Sequence, residues 1–189
     1  MCEIPIFFAT TDGQTRRIAE RLAADIRAMG LSSLAMDMAS PASADVDWTA
    51  VRAVLVGASI HGSKHQAVAA DFVNKHAPRL NAVPSAFFSV SMSAASADLR
   101  TVAAAEHLAR EFVRERHWRP DRVDCIAGRL AYTRYGWLKR RIVRMAARSI
   151  GVPVDLSRDH EFTNWRQVDR IAADLVRRAA PPRACMLAS

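Results

Sequence analysis

Cysteine is scarce in this chain: Cys2, Cys125 and Cys185 are odd in number, far apart and never arranged as C-x-x-C. That excludes a disulfide framework and a zinc site, and points to reduced thiols in a cytoplasmic protein. No apolar run approaches the roughly 20 residues needed to cross a bilayer. Met1-Cys2-Glu3 leads straight into an apolar stretch, so no signal peptide is expected. A nucleotide-triphosphatase P-loop is absent, because no Lys-Ser or Lys-Thr follows a second glycine. A G-x-G-x-x-G is absent too, which argues against a dinucleotide pyrophosphate. His65, His76, His107 and His117 show no metal spacing and read as surface or helix histidines. Acidic residues are also short: 19 Asp and Glu face 27 Lys and Arg, a formal charge of +8. That excess suggests an acidic partner, whether nucleic acid, anionic lipid or an acidic small molecule.

What is present begins with residues 4–29. An apolar run, 4–9, reads as a strand and turns through Thr10, Thr11, Asp12, Gly13, Gln14 and Thr15. From residue 16 the period becomes helical, with Ile18, Leu22, Ile26 and Met29 on one face. A strand, a hydroxyl-rich turn with one glycine and a helix start form the pattern of an anion-binding loop. Unpaired N–H groups and the helix dipole both favour negative charge there. T-T-D-G-Q-T resembles the phosphate loop of flavodoxins, which holds the 5′-phosphate of FMN. The alternative is an ordinary connection with Thr15 near the N-cap. Asp12 beside a phosphate would repel it, so its carboxylate is expected to brace the turn by accepting backbone N–H bonds.

Half the residues are apolar, enough for a sizeable core, and the length suits one domain over 1–180 with a frayed tail at 181–189. Further strands are expected over 31–37, 51–58, 85–90 and 121–127, with helices over 66–76, 99–116 and 164–180. Pro78 is placed just past the second helix. This alternation predicts an α/β fold with a five-stranded parallel sheet covered by helices on both faces. Ligands of such sheets sit beyond the carboxyl ends of the strands. Two more loops fall there, one with Ala58, Ser59, Ile60 and His61, the other with Ser89, Val90 and Ser91; they would flank a flat ring. His61 would stack on that ring or take a proton, or else be a solvent-exposed loop histidine. Cys125 is expected to pack in a core strand, and Trp118 and Trp165 to anchor the core.

Residues 128–150 carry seven Lys or Arg and no acid. Arg140, Arg144 and Arg148 share one helical face, Leu138, Ile142 and Met145 another, and Tyr132, Tyr135 and Trp137 lead in. This is the pattern of an interfacial anchor on an anionic membrane surface, or of a solvated surface helix. Nucleic acid is not expected, since no nucleic-acid motif appears.

Taken in order, DGQTRRIA (12–19), VGASI (56–60), FVNKHAPRLN (72–81), PSAFFSV (84–90), WRPD (118–121), IAGRLAYTRYGW (126–137) and TNWRQV (163–168) resemble one family over nearly the whole chain. It is the flavodoxin-like, menaquinone-dependent protoporphyrinogen oxidases of heme biosynthesis. The resemblance implies a flavodoxin-like doubly wound sheet with a basic insertion (131–160) after the fifth strand. It implies FMN as cofactor, protoporphyrinogen IX as electron donor and a membrane quinone as acceptor, in three rounds of two electrons. It also implies a cytoplasmic enzyme held peripherally at the inner face of the cell membrane, with Arg134, Tyr135, Trp137, Arg140, Arg144 and Arg148 facing substrate or membrane. Self-association into a homo-oligomer is left open. His61 stands in a loop where the family tends to carry tyrosine. A flavodoxin-type electron carrier and an NAD(P)H:quinone reductase are the other readings; carriers are typically acidic, and no second nucleotide site is evident.

Overall fold

The computed structural model describes residues 2–130 and 160–180; the expectations for the basic segment and the tail fall outside them. Five strands form one parallel sheet: β1 (Ile4–Ala9), β2 (Ser33–Asp37), β3 (Val54–His61), β5 (Ser85–Ser91) and β6 (Arg122–Ala127). Their spatial order is β2-β1-β3-β5-β6. The chain moves to one side of β1 and then to the other, so a topological switch lies between β1 and β3. β1 and β5 are buried along their whole length, as strands covered on both faces must be.

The helices α1 (Gln14–Ala28), α2 (Ala67–Leu80), α3 (Leu99–Glu115) and α4 (Trp165–Ala179) cover the sheet. One face packs Ile18, Leu22 and Ile26 of α1 with Val168, Ile171 and Leu175 of α4. The other packs Phe72 and Val73 of α2 with Phe112 and Val113 of α3. Met29, expected on the inner stripe of α1, lies past its end and is 41% exposed. Trp118 is buried and donates its indole N–H to Ser85 Oγ at 3.1 Å. Trp165 is half-buried against the core.

Several boundaries differ from the sequence expectation. Between β2 and β3 the chain makes only two short 3-10 turns, Pro41–Ser43 and Trp48–Ala50. Trp48 closes that gap by stacking on Phe7 and His76. Pro78 is inside α2, because buried Leu80 and Asn81 hold the last turn down. The Asn81 amide donates to the His117 carbonyl and its carbonyl oxygen accepts from Arg119 N–H. Residues 59–61, expected as loop, continue β3. They pair with β4 (Lys64–His65) through a two-residue turn at Gly62 and Ser63, both with positive φ. That geometry suits a hairpin whose strands twist right-handedly.

Of the four histidines expected at the surface or in helices, His76 is in α2 but buried, and His65 is in neither place. His76 is buried against Phe72 and Trp48, and burial lowers its pKa, with Lys75 and Arg79 adding to the shift. His65 packs on Phe112 and Phe87 and lies 2.9 Å from Ser89 Oγ. Burial, helped by Arg116, pushes its pKa down to about 4. The unfolded chain protonates His65 near the ordinary value of about 6.5, whereas the folded chain resists until about 4. Stability present above the higher value is therefore lost as pH falls through that window, by roughly 2–3 kcal/mol from His65. Denaturant unfolding of wild type and His65→Gln across the window checks this. The variant should lose less stability on acidification, the remainder including the His76 share.

Candidate functional site

The carboxyl ends of β1, β3 and β5 open into one cleft with an empty volume of about 370 Å³. Thr10, Asp12, Gln14 and Thr15 line it from the first loop, Ser59, Ile60 and His61 from β3, and Val90 and Ser91 from β5. Met92, Gly128 and Arg129 complete the wall. Of the other expected site residues, Thr11 is exposed at the loop tip and Gly13 lines a cleft on the outer side of α1. Ala58 is fully buried, and Ser89 is buried with its hydroxyl against His65. Arg134, Tyr135, Trp137, Arg140, Arg144 and Arg148 lie outside the described residues.

The first loop is built for an anion. Gly13 takes φ 88°, a left-handed conformation that glycine adopts without a Cβ penalty, and α1 starts at the next residue. Gly13 N–H donates to Thr10 Oγ1 at 3.0 Å, so Thr10 braces the turn. The Asp12 carboxylate, expected in that role, lies 4.0 Å from His61 Nε2 across the cleft mouth. The first turn of α1 has no acidic residue and no side-chain cap. Its leading N–H groups keep the positive end of the helix directed at the cleft.

Thr15 supplies the sharpest test of whether the loop fits an anion. The residue is 1% exposed and its Oγ1 has no hydrogen-bond partner. A buried hydroxyl without a partner costs about 1–3 kcal/mol. A phosphate oxygen between the helix N-terminus and Thr15 would satisfy it, so these residues fit a flavin phosphate.

Two side chains that the sequence reading did not place at the site, Gln66 and Thr163, hold the cleft in shape, and Arg129 lines it. Gln66, just before α2, accepts from Ser59 N–H at 3.1 Å and donates to Ser59 Oγ and to Thr11 Oγ1. It ties the β3 end to the anion loop, and nothing in its local sequence marks it. The Gln14 side chain turns away from the loop and donates to Thr163 Oγ1 at 2.8 Å, while Thr163 donates to the Ala127 carbonyl at 2.8 Å. Gln14 thus offers the cleft its backbone N–H, and its amide anchors the segment that returns from the insertion. Thr163 opens the TNWRQV motif, the one signal that could have found it. Arg129 sits on β7 (Arg129–Leu130), which pairs antiparallel with β8 (His160–Glu161). The inserted segment thus leaves and re-enters the fold at the rim of the cleft. Arg16 and Arg17 flank the outer cleft with Arg129, held by Asp37 at 3.1 Å and Glu161 at 2.8 Å.

Cys125 is half-buried in β6, and burial pushes its thiol up to about 11. A thiol so rarely ionised suits packing better than chemistry. Among the described residues no group of His, Cys, Asp and Glu could hold a metal ion.

Comparison with known proteins agrees with this architecture. The flavodoxin-domain profile matches residues 5–157. The chain is 36% identical over 171 residues to the protoporphyrinogen IX dehydrogenase [quinone] of Escherichia coli K12, covering 90% of this chain and 92% of that one. It is 32% identical to the protein of the same name from Leishmania major, over 94% of this chain and 77% of the other. Among solved structures, oxidised flavodoxin 1 from Bacillus cereus superposes with a TM-score of 0.53 at 13% identity, over 92% of this chain and 97% of that one. A flavodoxin from the domain Archaea gives 0.52 at 15%, over 93% and 97%. These two speak for the fold alone, and the fold and domain imply a flavin cofactor. The chain belongs to the flavodoxin-domain family and, within it, to the quinone-dependent protoporphyrinogen IX dehydrogenases.

Proposed function

We propose that this chain binds FMN in the cleft and oxidises protoporphyrinogen IX to protoporphyrin IX in heme biosynthesis, passing the electrons to a membrane quinone. The observation that carries this reading is the 36% identity to the Escherichia coli enzyme over nine-tenths of the chain. The partnerless Thr15 hydroxyl supports the cofactor.

In this reading Thr10, Thr11 and Thr15, with the N–H groups of Asp12, Gln14 and Thr15, hold the phosphate, and Gly13 shapes the turn. The segments Ala58, Ser59, Ile60, His61 and Ser89, Val90, Ser91 flank the ring. Bound flavin supplies an acceptor for two electrons at a time; the protein supplies binding, orientation and electrostatics. Arg16, Arg17 and Arg129 suit the substrate's two propionates, because guanidinium groups bind carboxylates through charge-assisted hydrogen bonds. Among the described residues no helix is long and apolar enough to cross a membrane. Reaching a quinone at the inner face of the membrane therefore falls to the basic segment, 131–160, with its arginines toward anionic headgroups and Trp137 toward the acyl boundary. That segment is an insertion in one flavodoxin-like domain spanning 1–180.

The reading is tested by mixing FMN-loaded protein anaerobically with protoporphyrinogen IX or, separately, with NADPH. Porphyrinogen should bleach the flavin and NADPH should not. Rapid bleaching by NADPH alone would move the protein to the quinone reductases.

A further inference from the structure

We infer that His61, paired with Asp12, is the proton acceptor for the porphyrinogen in this cleft. The inference rests on the function proposed above. Each oxidation round removes a hydride and a proton from the substrate. In the first round a methylene-bridge C–H breaks and its electron pair leaves as hydride, which bound flavin would accept and the quinone would later remove as two electrons. A pyrrole N–H breaks as well, and its electron pair stays in the ring as the new double bond. The proton needs a base within reach of the ring.

Among the described residues lining the cleft, Asp12 and His61 are the two whose side chains can serve as bases. Arg129 is a permanent cation, and the rest are hydroxyl, amide or apolar groups. Asp12 sits on the anion loop, whereas His61 stands at the end of β3, on the segment that flanks the ring. Its side chain is 46% exposed, so it can meet a substrate entering from solvent. Its Nε2 lies 4.0 Å from Asp12 Oδ2, on the opposite bank of the cleft. A carboxylate on that side turns Nε2 toward the loop and leaves Nδ1 for the substrate. The hairpin fixes the histidine: His61 pairs with Lys64 across the Gly62–Ser63 turn. Among the described residues, the charged groups nearest it are Asp12 from the first loop and Lys64, its partner on β4, with Arg129 of β7 lining the same cleft. His61 is the catalytic base, and Asp12 is a positioning residue that acts through it.

The test follows flavin bleaching in a single anaerobic turnover of FMN-loaded protein with protoporphyrinogen IX, across about pH 5 to 9. Wild type should slow on acidification, as a reaction that depends on a general base does. His61→Gln, assayed at saturating FMN, should lose on the order of 10²–10³-fold in bleaching rate, lose that pH dependence and recover part of the rate with added imidazole. Asp12→Asn should lose less. The exposed His107 serves as control, and His107→Gln should match wild type. A readout without turnover is NMR of the histidine rings: adding the product, protoporphyrin IX, should shift the His61 resonances and leave those of His107 in place.

A His61→Gln protein that bleaches within about twofold of wild type with an unchanged pH profile would overturn the assignment. So would product binding that leaves His61 unmoved. If porphyrinogen fails to bleach wild type at all, both the function and this inference fall. Bleaching of wild type and variant alike removes only the inference.

Discussion

Replacing Thr15 by valine should push two measurements in opposite directions. Thr15 Oγ1 is buried, and no protein group bonds to it. Valine has nearly the same shape and the same β-branching, so the helix is little affected. Removing a desolvated, unbonded hydroxyl should stabilise the free protein by about 1–2 kcal/mol, read by denaturant unfolding. With FMN bound, the hydroxyl has a phosphate oxygen to donate to, and valine loses that bond. FMN affinity should then weaken by about 1–3 kcal/mol, roughly 5- to 150-fold in Kd, read by quenching of flavin fluorescence. Thr15→Ser keeps the hydroxyl and should hold FMN close to wild type. Valine that destabilises the free chain while leaving FMN affinity unchanged would mean that the hydroxyl is bonded elsewhere and does not face the anion.

Gly57 should be the least replaceable position in the sheet. It lies in the middle of β3, in register with Phe8 of β1 on one side and Phe88 of β5 on the other. A Cβ added there would overlap the Phe88 ring, and Phe88 is fully buried. The ring cannot swing away without displacing its neighbours in a close-packed core. Gly57→Ala should therefore cost about 3 kcal/mol, at the upper end of overpacking effects, and lower the midpoint of thermal unfolding. Combining it with Phe88→Leu, which frees space at that contact, should cost less than the two changes added separately. A neutral Gly57→Ala would contradict the packing described for this face. The position also matters for function, because β3 runs on from Gly57 to Ser59 and His61 at the cleft.

The sequence carried the sheet and three of its loops because their signals are local. Apolar runs of strand length and helical spacing made β1, β3, β5 and α1 legible, and the resemblance ordered the whole chain. What escaped depends on contacts distant in sequence. Gln66 matters because it reaches Ser59 and Thr11, and Gln14 because it meets Thr163 on the far side of the insertion; neither partner is visible in a local window. His65 reads from sequence as a surface or helix residue because its two-residue strand exists only through pairing with β3. Pro78 was read as a helix stop because local propensity opposes it, while Leu80 and Asn81 outweigh that from the core and from the 117–119 turn. The phosphate loop itself was legible as hydroxyls and one glycine before a helix. The roles within it were not: Thr10 rather than Asp12 receives the Gly13 N–H, and Asp12 meets His61.

The central claim joins a flavin cleft to porphyrinogen oxidation and a quinone. Its most direct test is porphyrin fluorescence after FMN-loaded protein is mixed anaerobically with protoporphyrinogen IX, with and without a menaquinone analogue. Fluorescence should keep growing over many turnovers when the quinone is present. Without quinone it should stop once the bound flavin is reduced. A protein that holds FMN firmly yet yields no porphyrin under either condition would contradict the claim, leaving the flavodoxin fold in place and the oxidase function refuted.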